Sequence, residues 1–129
     1  MKIAIVVPYF SGFGSNESEL AEAFTKQGHN VTVFTTNVKS GSRLADINYS
    51  KKSNYDVINL DVFINIKGLP IVYNFENKIK GFDLILAQED YQFMSYQAYK
   101  YAKKNKIPFI ISNERYKMPA FPKSILLKI

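Results

Sequence analysis

Along the first 37 residues the hydrophobic period switches from strand to helix and back. Ile3 to Val7 is an unbroken apolar run, as a strand covered on both faces requires. A polar, glycine-bearing stretch follows, Ser11 to Ser15. Leu20, Ala21 and Phe24 then recur at helical spacing on one face. Asn16 is placed to cap that helix, with Glu19 three residues on completing a capping box. Gly28 supplies a left-handed stop, and Val31, Val33 and Phe34 resume strand chemistry. The unit is βαβ. It puts the Ser11–Ser15 loop at the carboxyl end of the first strand, where open α/β sheets bind ligands.

The pattern continues in the same alternation. Residues 38–55 are polar, rich in Ser, Lys and Asn, and predict a long loop with a helical turn around Leu44–Ile47. Val57–Val62 predicts a third strand. Gly68-Leu69-Pro70 predicts the opening of a short helix in which Ile71, Val72, Phe75 and Ile79 share a face, ended by Gly81. Asp83–Gln88 predicts a fourth buried strand and Tyr91–Asn105 a helix, with Tyr91, Met94, Ala98 and Tyr101/Ala102 at helical spacing. Pro108 precedes a fifth strand, Phe109–Ser112, and Ser124–Ile129 opens a further helix.

Strands alternating with helices imply an α/β fold, a Rossmann-like open parallel sheet of about five strands flanked by helices. Right-handed crossovers make its order 3-2-1-4-5. The topological switch then falls between the first and fourth strands. Gly12–Gly14 and Gln88–Asp90 should face each other across one crevice, with Asn113–Tyr116 as its far wall.

Composition narrows the classes. The 129 residues suit one domain, and 47% apolar content without an 18-residue apolar run indicates a soluble globular protein. The start lacks a signal-peptide pattern, because Ile3–Val7 is short and enters a strand, so the triplets at Asn16, Asn30 and Asn48 read as incidental. Zero cysteines exclude disulfides and thiolate chemistry, and the single His29 leaves no histidine pair for zinc. A cytoplasmic location is the default expectation, and no metal or cofactor is expected.

The net charge of +6 lies entirely in residues 78–129, while residues 1–77 balance at seven cations and seven anions. Only Arg43 and Arg115 are arginines, which argues against a nucleic-acid reader. Tyr96, Tyr99 and Tyr101 interleave with Lys100, Lys103 and Lys104, a pattern open to base stacking or, more simply, to a core face. The lysine excess either solvates a surface or meets an acidic partner or an anionic membrane surface. Leu69–Lys80, read as a helix with an apolar stripe beside Lys78 and Lys80, is open to the membrane alternative or, more simply, to packing as core.

Three segments carry candidate chemistry. Gly12-Phe13-Gly14 is a G-x-G, but Glu17 stands where a dinucleotide fingerprint needs its third glycine, and no acid ends the second strand. Glu17 and Glu19 also oppose a phosphate at that helix start. The loop is either a tight turn or a close backbone approach to substrate. In Gln88-Glu89-Asp90-Tyr91, Asp90 is placed to cap the next helix and Glu89 is the better ligand candidate. Asn113-Glu114-Arg115-Tyr116 gathers acid, base and hydroxyl after a buried strand, as a surface ion pair or a site wall. His29 reads as a turn residue. No nucleophile triad or phosphate loop is present, so no reaction follows from these residues alone.

Taken in order, KIAIVVPYF, SGFG, ELAEAFTKQGHNVTVFTT with Gly28-His29-x-Val31, FDLILAQEDYQFMSYQAYKYAKKNKIPFIIS and NERYKMP resemble the N-terminal domain of retaining glycosyltransferases of family 4, of GT-B architecture. The resemblance covers nearly the whole chain. It implies that residues 1–129 are the acceptor-side domain, cut short at its C-terminal end, of an enzyme that moves a sugar from a nucleotide-sugar donor to a glycan, lipid or small-molecule acceptor. It places Gly12, Phe13 and Gly14 against acceptor and donor sugar, and Gln88, Glu89, Asp90, Tyr91, Asn113, Glu114, Arg115 and Tyr116 along the acceptor side.

Phe13 separates glycines that the family often pairs. Glu114 stands near a position where many members carry histidine, so no catalytic role transfers and the catalytic residues stay unassigned. The family's donor-binding domain, with its E-x7-E motif, would need roughly another 150–200 residues. The chain is therefore expected to be inactive without that domain or a separate subunit supplying it. The alternative is a non-catalytic carbohydrate- or protein-binding module on the same scaffold.

Overall fold

The computed structural model describes residues 1–10, 16–36 and 54–113. Gly12, Phe13, Gly14, Glu114, Arg115, Tyr116, the turn at 44–47 and the segment 124–129 lie outside the described residues, as does the capping side chain of Asn16. The elements are β1 (Lys2–Val6), α1 (Asn16–Lys26), β2 (Asn30–Thr36), β3 (Asp56–Leu60), β4 (Val62–Ile66), β5 (Leu69–Val72), α2 (Phe75–Ile79), β6 (Leu84–Gln88), α3 (Phe93–Asn105) and β7 (Phe109–Ser112).

Five strands form one parallel sheet in the order β3-β2-β1-β6-β7. This is the expected Rossmann-like order, with the fourth and fifth strands of the sequence reading now β6 and β7. β1 lies in the middle, Ile3 pairing with Val31 on one side and Leu84 on the other. Its alternate residues serve two cores. Ala4 and Val6 join Phe34, Ile85 and Ala87 beneath Phe75, Ile79, Met94, Ala98 and Ala102 of α2 and α3. Ile3, Ile5 and Val7 join Val31, Val33 and Leu86 beneath Ala21, with Leu20 and Phe24 of α1 packed alongside. Burial on both faces is why β1 and β6 read as apolar runs rather than alternating ones.

The two helix ends use one device. After α1, Gly28 takes φ +96°, its N–H donating to Thr25 O at 3.0 Å, while His29 N–H reaches back to Phe24 O at 3.1 Å. After α3, Lys106 takes φ 58°, and Ile107 N–H reaches Ala102 O at 2.9 Å. Both are Schellman stops, which satisfy carbonyls the helix leaves open.

One expectation fails. Leu69–Val72 is not the start of a helix but the second strand of a β4–β5 hairpin, and only Phe75–Ile79 is helical. Lys67 and Gly68 both have positive φ, 51° and 84°, the two-residue turn whose twist suits a hairpin. Accordingly β3 ends at Leu60, and Val62 belongs to the hairpin rather than to the main sheet. Gln97 of α3 fastens β5, its side chain accepting from Val72 N–H at 3.2 Å and donating to Val72 O at 3.1 Å. Val72, Phe75 and Ile79 are buried in the core, as the core reading of that stripe expects. No helix among the described residues is long and apolar enough to cross a membrane.

The helix ends provide a paired test. Nothing lies within 4 Å of a Cβ built on Gly28, so Gly28→Ala meets only backbone strain. It should lower the unfolding free energy by about 1 kcal/mol. Lys106→Gly relieves the same strain and should raise stability by up to about 1 kcal/mol. Urea midpoints with unchanged slopes read both effects.

Candidate functional site

β1 hands the chain to α1 on one face of the sheet, and β6 hands it to α3 on the other. The two strands are neighbours, Val6 pairing with Ala87, so their carboxyl ends form the switch point at which open α/β sheets place a crevice.

On the β1 side the exit is pinned. Thr35 and Thr36 hydroxyls donate to Pro8 O at 3.2 and 2.9 Å, and Thr36 N–H reaches the same oxygen at 3.3 Å. Phe10 is buried edge-on against Tyr55, with ring centroids 6.4 Å apart, and the Tyr55 hydroxyl meets Ser18 Oγ at 3.0 Å. Phe10 thus tucks toward α1 while Tyr9 stays half-buried. A Cβ on Gly68 would lie 3.4 Å from the Tyr9 hydroxyl, which brings the hairpin tip to this edge of the sheet.

On the β6 side, Gln88 follows Leu86 in alternation and shares its α1-facing side, one step past the Val6–Ala87 pair. It is 2% exposed, and its carbonyl accepts from Ser95 Oγ at 3.0 Å. Glu89 has φ 68°, uncommon for a residue other than glycine. Its N–H donates to Ser112 O at 2.7 Å, tying the turn to β7. Asn113 Nδ2 donates to Asp90 Oδ1 at 2.9 Å and closes the same corner. Asp90 is therefore not the cap expected of it. Gln92 holds that position before α3, its side chain making no cap bond.

The polar balance of this corner is one-sided. Among the described residues, side-chain oxygens of Gln88, Gln92 and Asn113 are shut from solvent and meet no hydrogen-bond donor. Glu89 Oε1 is shut from solvent with them. Gln88 and Gln92 are 2% and 4% exposed. An unanswered buried acceptor costs about 1–3 kcal/mol, so such groups gathered at one sheet edge call for a ligand or bound water. Glu89 and Asp90 add two carboxylates to the same turn.

Of the residues singled out from sequence, the fold brings Gln88, Glu89, Asp90, Tyr91 and Asn113 to one corner. His29 lies at the opposite edge, against the N-terminal amine at 3.3 Å and the Phe24 ring. The lysine–tyrosine interleaving resolves into contacts along α3, Lys100 over the Tyr96 ring and Lys103 over Tyr99, while Tyr101 is core. The first turn of α1 carries Glu17 and Glu19, which opposes an anion there. Among the described residues no three acidic or imidazole groups are assembled to hold a metal.

Sequence reasoning missed Tyr9, Gln92 and the hairpin tip. Tyr9 sits in the first residues past β1, a position the switch-point rule could have flagged. Gln92 carried the weaker signal of a polar residue at a helix entry. Compared with models of protein families, with curated proteins and with solved structures, the chain gives no match.

Burial, and then the neighbouring Tyr91 phenol, raises the Tyr9 hydroxyl above the ordinary tyrosine value. The folded phenol holds its proton more tightly than the unfolded one. Its contribution to stability is complete below pH about 10 and is lost as pH rises through the raised folded value. Tyr9→Phe should therefore flatten part of the alkaline loss of stability. In Tyr91→Phe, phenolate absorbance should show Tyr9 titrating lower but still above the ordinary value, since burial is the larger cause.

Proposed function

We propose that the crevice at the carboxyl ends of β1 and β6 binds a sugar. On this reading the chain is the acceptor-side half of a GT-B glycosyltransferase of family 4 type, which moves a sugar from a nucleotide-sugar donor to a glycan, lipid or small-molecule acceptor. The observation that carries the reading is the set of buried side-chain oxygens of Gln88, Gln92 and Asn113 without donors. A sugar supplies several hydroxyl donors from one small ring, and each would answer an acceptor that is otherwise a cost. The half-buried Tyr9 and exposed Tyr91 offer aromatic surface and hydroxyls beside them.

The acidic first turn of α1 favours a neutral acceptor over a phosphate at that helix. The ordered resemblance from KIAIVVPYF to NERYKMP supports the transferase assignment. The donor would enter through a second domain or a separate subunit, and this chain would bind acceptor without transferring to it.

A second reading, a non-catalytic binding module, is favoured by one observation. Phe63, Ile64, Ile66 and Tyr73 on and beside the hairpin are 43–60% exposed, an apolar surface that suits a protein partner.

Gln88→Met and Gln92→Met separate a ligand-binding role from a structural one. If the amides await a ligand, removing them should stabilise the free chain by about 1–3 kcal/mol each. The same changes should weaken sugar binding about tenfold or more, read by NMR shifts of residues 88–92 and 113 during hexose titration. Lower stability with unchanged binding would refute the site. Sugar transfer by the isolated chain would refute the half-enzyme assignment, and binding without transfer beside any donor-binding partner would favour the module.

A further inference from the structure

The β4–β5 hairpin is a sheet of its own, and its two edges differ. The β5 edge is closed: Pro70 is buried and has no N–H to offer, and Gln97 answers both backbone groups of Val72. The β4 edge is open. Among the described residues no strand pairs with it, and Val62-Phe63-Ile64-Asn65-Ile66 carries neither charge nor proline, two of the devices that keep edge strands from pairing. The one register shift, between Val62 and Ile64, touches a single end. Phe63, Ile64, Asn65 and Ile66 are all exposed, so the strand is uncovered on both faces. The Phe63 ring is braced edge-on against Tyr73, with centroids 5.1 Å apart.

Charge brackets this edge. Asp61 precedes the strand and Lys67 follows it, both exposed, and Ile64 stands midway between them. Two copies of β4 laid antiparallel about Ile64 would set the Asp61 of each beside the Lys67 of the other. The same register sets Ile64 against Ile64 and Val62 against Ile66, β-branched pairs of the kind that stabilise neighbouring strands. The register shift offsets Asp61 by one residue, about 3.3 Å, which a lysine side chain spans. Laid parallel in register, the strands would oppose Asp61 to Asp61 and Lys67 to Lys67, which disfavours that arrangement.

Taking up the hairpin surface that the module reading offers to a protein, we propose that its partner is a second copy of this chain. The two β4 strands pair antiparallel across a two-fold axis at Ile64 and join two hairpins into one four-stranded sheet. Five residues a side make a small interface, so the dimer is weak, with Kd on the order of 10–100 μM.

Sedimentation velocity of the chain from about 5 to 500 μM, at low ionic strength, should show monomer passing to dimer. Ile64→Lys sets two lysines opposite each other at the axis and should abolish the dimer. Asp61→Lys and Lys67→Asp should each weaken it about tenfold. Mixing those two variants should restore it, since every lysine then meets an aspartate, and restoration also shows that both fold. A chain monomeric throughout, or a dimer indifferent to these changes, would overturn the self-pairing. Amides of residues 62–66 protected from exchange in the dilute monomer would overturn it too, because another segment would then cover the edge. The module reading fails separately, on sugar transfer beside a donor-binding partner, whatever the oligomeric state.

Discussion

The structure depends on β1 being the middle strand. Its backbone is hydrogen-bonded on both sides, by β2 and β6, and its side chains are buried on both faces. A strand in that position can continue only by leaving the sheet at its carboxyl end. Because β6 leaves toward the opposite face, the two exits diverge and a crevice forms between them. The site is thus a consequence of sheet order before any functional side chain is considered. The three bonds on Pro8 O and the Ser18–Tyr55 contact then hold the β1 exit in place, so that Tyr9 is presented rather than buried with Phe10.

What the crevice contains works against stability. Elsewhere in the described core the polar groups are answered: Thr35 bonds Pro8, Ser95 bonds Gln88 and Gln97 clasps Val72. At the ends of β6 and β7, oxygens of Gln88, Gln92 and Asn113 are not, and Glu89 holds a left-handed backbone that costs of order 1–3 kcal/mol. Strain and unanswered acceptors coincide within a few residues. A fold under selection for stability alone would remove them, and their concentration at the switch point is what makes this corner the candidate site.

The hairpin shows where local pattern misleads. Ile71, Val72, Phe75 and Ile79 fall at intervals a helix would use, but the first two are strand and the last two are helix. Both halves present residues to one core, so the spacing is right while the backbone is not. Lys67-Gly68 was the available signal, a two-residue turn between apolar runs, and Pro70 is tolerated because β5 pairs on one side only. Asp90 is a smaller case of the same kind. It has the chemistry of a cap, but the left-handed turn at Glu89 delays the helix to Phe93, and Asn113 takes its carboxylate.

By itself the sequence determined the alternation of buried strands and amphipathic helices, hence the parallel sheet, its order and the position of its switch point. Those follow from period and burial, which are local properties repeated along the chain. It also marked Gln88–Tyr91 and Asn113, because polar residues directly after a buried strand stand out in any apolar run. Only the tertiary structure decided that Asn113 closes onto Asp90, that the hairpin tip reaches Tyr9, and that the Gln88 and Gln92 oxygens are left unanswered. Each of these depends on which groups from distant segments meet, and whether a buried acceptor finds a donor is set by the neighbours the fold brings to it.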